Sequence, residues 1–346
     1  MALHGEDQRS RRGQPWSAPR RAILISFLAI VMGCLFLLTY SLALADPVPH
    51  RIDAAVVGDV STHASTVDAV EQVADGSLVF RRYASVPAAL HAIDLQQDYA
   101  ALDLTPTRPT LYVASAAGAS VARVLERVST VDPTVRVVDT HPLAANDPNG
   151  LDVFYTMFVA TIVGFITVMQ VRANAPGLLV RHHVIFVVGL AVAVSFALTL
   201  VGGVMLHGLS AADPEAWGIL ALQVIAVASF TSLMSELIGR WAILPTWLFF
   251  SILGNSASGG AVSPPLLPVP FALISQWLPS GATVTALRDA VYFRDYQHIR
   301  PIAVLAAWAA VLFTAWLLIA RRRAARAASS ELIASAQAGA AERVPG

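Results

Sequence analysis

Few residues in this sequence stand where chemistry would need them. Glu236 and Arg240 are four residues apart near the end of an apolar run, carboxylate first. That is the favourable order for an ion pair on one helix face. A carboxylate inside or at the edge of a membrane span is a functional candidate by default, here as a proton relay. The competing reading is structural: a paired acid near the interface that closes one end of a helix bundle. His182 and His183 are adjacent. Neighbours on a helix point about 100° apart, so the pair suits shared metal coordination poorly and reads as a polar flank. His63, His91 and His141 are scattered without metal-ligand spacing. Asp53, Asp59, Asp68, Asp94, Asp98 and Asp103 form no motif, and Ser61 and Ser65 lie in no nucleophile-elbow context. His207, Asp213, Asp289 and Asp295 are dispersed. No catalytic residue, cofactor site or metal site is expected, and the chain does not read as an enzyme.

Two further absences narrow the field. All 23 basic residues are arginine, and no GxxxxGK[ST] run exists. A P-loop and a Schiff-base lysine are therefore excluded. The one cysteine, Cys34, permits no intramolecular disulfide. Val31-Met32-Gly33-Cys34 loosely resembles a lipobox, but the apolar run continues as LFLLTYSLALA, and a buried inert thiol is the expectation.

The elements that hold these residues are mostly membrane helices. Hydrophobic residues make up 56% and charged residues 13% of the chain, against roughly a quarter charged in soluble domains. The formal net charge is +0, so no basic field points to nucleic acid. Residues 1–21 form an arginine-rich tail, and 22–45 reads as a signal-anchor span. The rival is a cleaved signal peptide, with Ala43-Leu44-Ala45 as a small-x-small site. Either way residues 46–150 lie outside. There, alternating apolar runs predict strands and helices in turn, hence a small α/β domain. Further spans are expected over 153–171, 184–206, 217–238, 241–262 and 302–320, within a membrane domain of residues 151–320. The fold class expected is a polytopic α-helical membrane protein of six spans, with the extracytoplasmic α/β domain between the first and second.

The fourth span carries Gln223, Ser229, Thr231, Ser232 and Ser235, suited to interhelical hydrogen bonds. Between the last two spans the chain breaks into small residues and prolines, a re-entrant segment over 255–298. Asn255, Ser256, Gly259 and Gly260 are poor lipid-facing residues, and Pro264 and Pro265 forbid a regular helix. These six are the candidate outer gate. Arginines crowd the short flanks expected inside, including Arg321, Arg322, Arg323 and Arg326 before the 321–346 tail. The positive-inside rule then puts both termini in the cytoplasm.

One anchor, an external domain and five spans with a late break resemble the membrane subunit of type-2 ABC exporters, in the phage-infection-protein-like branch. The resemblance is carried by GNSASGGAVSPPLLP, by WLPSGATVTALRDAVYF before the last span, and by TLYVASAAG in the α/β region. It implies a permease half in a bacterial inner membrane, moving a lipid, glycoconjugate or amphipathic compound. Its partners would be a second permease half, identical or not, and a separate ABC ATPase that hydrolyses the ATP. The loop with Arg172, Arg181 and His182 would contact that ATPase. The alternative is a non-transporting receptor, scaffold or envelope-assembly factor that works through its external domain.

Overall fold

The computed structural model describes residues 18–44, 48–175, 177–206 and 214–341. The arginine-rich tail before residue 18, Ala45 of the small-x-small site, residues 207–213 between the expected third and fourth spans and the chain end from 342 lie outside them. The described chain is mostly helical. Five of its helical stretches are long and apolar enough to cross a membrane: Ala22–Leu44, Asp152–Asn174, Val180–Gly203, Pro214–Gly254 and Ile299–Ser330.

Helix α1 (Ala18–Leu44) leads into the α/β domain. The domain strands are β1 (Ile52–Val57), β2 (Leu78–Arg82), β3 (Ala100–Asp103), β4 (Thr110–Val113) and β5 (Arg136–Asp139). Its helices are α2 (Ala64–Val73), α3 (Val86–Asp94), α4 (Ala119–Glu126) and α5 (Val128–Val131). The sheet order is β2-β1-β3-β4-β5. Strands β3 and β4 are antiparallel, and the other neighbours are parallel. Because β-strand side chains alternate, β1 feeds two cores. Ile52, Ala54 and Val56 pack under α2, α4 and α5, while Ala55 and Val57 face α3.

Neither core is closed by the domain alone. Leu266, from the broken segment late in the chain, is 1% exposed within the first core. Phe293 is 2% exposed within the second. The α/β domain thus wraps two apolar pegs that belong to the membrane half.

Helix α6 (Asp152–Asn174) starts where Asp147 takes up its free amides, Leu151 N–H donating to Oδ1 at 2.9 Å and Asp152 N–H to Oδ2 at 3.0 Å. This side-chain cap ties the helix to the domain. Helix α7 (Val180–Leu206) returns, and α8 (Pro214–Ile238) forms the centre of the bundle, with α6, α7 and α12 (Ile299–Ala341) around it.

The stretch Pro214–Gly254 does not run straight. It reverses at Gly239, whose φ of +62° lies in the left-handed region that glycine tolerates. Phe230 stacks on Phe249 with ring centroids 5.5 Å apart. Along a straight helix these residues would be about 30 Å apart. The returning arm is α9 (Ile243–Thr246), which widens into π-type turns over Trp247–Gly254. Helical geometry ends at Ser256, not at the expected 262. Gly259 then takes φ +72°, and the prolines follow. Short helices α10 (Val269–Ser275) and α11 (Pro279–Tyr292) each have proline in the first turn, where the missing N–H costs nothing.

Helix α12 runs 43 residues, well past the expected span end at residue 320, to Ala341, because alanine and arginine are strong helix formers even without a bilayer around them. One further expectation fails. Cys34 is exposed on α1 rather than buried, since α1 touches the bundle along one narrow line, near Trp247.

Candidate functional site

Three polar constellations stand out, one at each end of the bundle and one inside it.

The first lies where the α/β domain meets the broken segment. His50 N–H donates to the Pro265 carbonyl at 2.9 Å. Ser120 Oγ donates to Ser263 Oγ at 2.8 Å and accepts from Ser263 N–H at 2.9 Å. On α11, fully buried Asp289 accepts from Gln96 Nε2 at 2.5 Å, and His298 Nδ1 is 3.1 Å from its other oxygen. His141 stacks on Phe293 with centroids 4.6 Å apart. In the domain itself, burial pushes the Asp98 carboxyl above the usual range, although Tyr83 donates to it at 2.8 Å. Burial pushes the Tyr99 phenol up to about 12.

The second is a seam inside the bundle, in which Thr161, Gln223 and Thr283 are each 0% exposed. Gln223 Nε2 donates to Thr161 Oγ1 at 2.8 Å, and Thr283 Oγ1 donates to Gln223 Oε1 at 2.9 Å. The three residues tie α6, α8 and α11 together. The buried hydroxyls of Ser229, Ser256 and Ser280 have no hydrogen-bond partner among the described residues. An unmade bond of that kind costs about 1–3 kcal/mol.

The third closes the far end of the bundle. Glu236 of α8 pairs with Arg172 of α6 and lies 3.8 Å from Arg323 of α12. His183 of α7 is 6% exposed, with Nε2 3.4 Å from Ser232 Oγ and its ring 5.1 Å from that of Trp316.

This third cluster corrects the expected helical pair. Glu236 does not bond Arg240. Helix α8 ends at Ile238 and the backbone turns at Gly239, so residues 236 and 240 do not share a helix face. Arg240 instead lies over Trp241, 5.5 Å from the ring centroid. The loop residues also separate: Arg172 is drawn into the bundle by Glu236, while Arg181 and His182 stay exposed at the start of α7. His183 leaves the expected polar flank for the interior.

The gate residues come together, but inside protein. Asn255 is 2% and Ser256 1% exposed. Asn255 sits beside the Tyr40 hydroxyl of α1. A Cβ on Gly260 would stand 2.8 Å from the Phe154 side chain, and one on Gly259 3.0 Å from Pro264. Pro264 and Pro265 are half-buried beneath the α/β domain. In this conformation the segment is a packed plug.

Sequence reasoning found Gln223 as a bonding residue, passed over Asp289 as dispersed and did not single out His298. No spacing marks a partnership between Gln96 and Asp289, which only tertiary packing creates. Among the described residues no group of histidine, cysteine, aspartate or glutamate could hold a metal ion. Comparisons with protein-family models, with curated proteins and with solved structures found no match.

Proposed function

We propose that the chain is the membrane subunit of an exporter for a lipid, glycoconjugate or amphipathic compound, powered by a separate ATP-hydrolysing partner. On this reading it crosses the bilayer six times, with the arm after Gly239 as the fifth passage. The α/β domain lies outside and both termini lie inside. A second permease half completes the pathway.

The observation that carries this reading is the polar seam. Thr161, Gln223 and Thr283 are buried in the middle of an apolar bundle, with the unpartnered hydroxyls of Ser256 and Ser280 also in its interior. A plain anchor gains nothing from buried polar groups that lack partners. A pathway that rearranges uses them, because the bonds can re-form in a second packing. Arg181 and His182 are exposed at the end opposite the α/β domain, where a partner can reach them.

The test is reconstitution with the ATPase encoded nearest to this chain. Co-purification and stimulated ATP hydrolysis are expected, with the stimulation lost in the double variant R181E/H182E. An ATPase that neither binds the chain nor changes its rate would discard the reading.

One feature favours the alternative of a receptor or assembly factor. Among the described residues neither sheet edge, β2 or β5, has a neighbouring strand on its outer side, and Val79 on β2 is 38% exposed. An unpaired edge can accept an added strand from a partner. Blocking the β2 edge with Arg82→Pro, at a residue whose N–H faces away from β1 in the parallel register, would then abolish the phenotype while leaving any ATPase stimulation intact.

A further inference from the structure

A cavity of about 260 Å³ opens between the α/β domain and the broken membrane segment. Gln96, Asp98 and Tyr99 line it from the domain, and Arg288, His298 and Arg300 from the membrane half. Its charges do not balance locally. Asp98 is 3.6 Å from Arg81, so a cation already faces that carboxyl from the domain side. Asp289, behind the wall, is engaged by His298 and Gln96. The two arginines have no such partner. Arg288 donates from Nη2 to the Gly259 carbonyl at 3.3 Å, and among the described residues it makes no ion pair. Arg300 lies over Trp277, 4.9 Å from the ring centroid, and likewise makes no ion pair there. Two guanidinium groups that line one cavity, neither paired with a carboxylate among the described residues, make a ready site for an anion.

The surroundings say which anion is within reach. Trp277 is 56% exposed and Leu273, on α10, is 62% exposed, so this rim of the cavity meets lipid. Trp308 Nε1 donates to the Trp277 carbonyl at 2.8 Å and fixes that rim to α12. An exposed tryptophan in a turn between short helices, packed beside a membrane helix, favours the headgroup level of a bilayer. The anions at that depth are phosphate esters, and arginine's planar fork fits phosphate oxygens two at a time.

We propose that this cavity binds a phosphate ester at the headgroup level on the α/β-domain side, held between Arg288 and Arg300. The site rests on the reading of the chain as an exporter of lipid-like compounds and adds the charged group that its substrate carries. The Tyr99 phenol lines the same cavity and supplies a neutral donor.

The full chain in maltoside micelles, which contain no phosphate, tests this without any ATPase. Dihexanoyl phosphatidic acid is titrated by calorimetry, with dihexanoyl glycerol as the phosphate-free control. Glycerol 3-phosphate serves as the headgroup alone. The phosphorylated lipid is expected to bind and the control not to. Arg288→Gln and Arg300→Gln should each weaken binding about tenfold, the loss of one charged hydrogen-bonding partner. Arg300 is exposed and touches only a ring face, so its variant reports on binding even if Arg288→Gln fails to fold. If glycerol 3-phosphate displaces the lipid, the phosphate ester comes from solution; if it does not, it comes from a lipid. Both results support the site. Equal binding of lipid and control, or an Arg300→Gln protein that binds as tightly as the parent, overturns it. Because no ATPase enters, a failure here is separable from a failure of the exporter reading.

Discussion

At the scale of single residues, Glu236 is the clearest case of position deciding meaning. It faces Arg172 and Arg323, from two other helices, rather than the arginine four places along its own chain. Its side chain is 17% exposed and that of Arg172 26%, so the pair is only partly screened. Glu236→Gln is expected to cost about 2–4 kcal/mol, because two arginines are then left without their acid. A fall in melting temperature of the purified protein measures it, with partial recovery in the swapped double variant R172E/E236R. Arg240→Ala should change the melting temperature little, since its contact is an exposed cation–π pair worth about 0.5–1 kcal/mol. If Arg240→Ala proves the more damaging of the two, the cluster is misassigned.

At the scale of elements, the hairpin of α8 and its returning arm rests on one backbone angle. Gly239 at φ +62° makes the turn, and any side chain there is strained by about 1–2 kcal/mol. Gly218, inside α8, has open space where a Cβ would go. Gly239→Val should therefore lower thermal stability, whereas Gly218→Ala should leave it unchanged or raise it by up to about 1 kcal/mol. The two variants, unfolded side by side, separate a turn requirement from a general cost of changing glycines. The gate glycines cannot serve this purpose. A larger residue at Gly260 meets Phe154, so lost activity there would report packing before it reported gating.

At the scale of the whole molecule, the α/β domain and the membrane half share their cores. Phe293→Ala should cost about 3–5 kcal/mol, as expected for a buried aromatic, and should loosen the domain so that limited proteolysis cuts between residues 140 and 150 sooner. Unchanged proteolysis would mean the domain holds without its peg. Docking can also be locked. Ser120 and Ser263 have their hydroxyls 2.8 Å apart, a separation that a disulfide can bridge after modest adjustment. In a Cys34→Ala background, S120C/S263C should oxidise to one cross-linked species, seen as a mobility shift reversed by reductant. If transport requires the domain to lift, the oxidised protein will be inactive and the reduced one active. Activity that survives the cross-link would place the moving parts elsewhere.

Much of the fold was legible in the residues because it depends on local periodicity. The residues Ile52-Asp-Ala-Ala-Val-Val read as a strand and form β1, and helical spacing marked the regions of α2, α3 and α4; that β1 feeds two cores came from the structure. The apolar runs and their arginine flanks marked the membrane helices for the same reason: length and hydropathy are sums over neighbours. The polar choices in α8 were also visible, and Gln223 does bond across helices. What stayed hidden depends on residues far apart in the chain. The Gln96–Asp289 bond spans 193 positions and the Ser120–Ser263 bond 143, and no spacing rule reaches that far. The same limit explains Glu236, whose partner was chosen by the packing of α6 and α12 and by a left-handed turn at Gly239. Sequence determined which segments are apolar, which are broken and which are folded on their own pattern. Tertiary structure alone decided that the broken segment is a plug shared with the α/β domain, because burial and charge pairing are properties of what surrounds a residue.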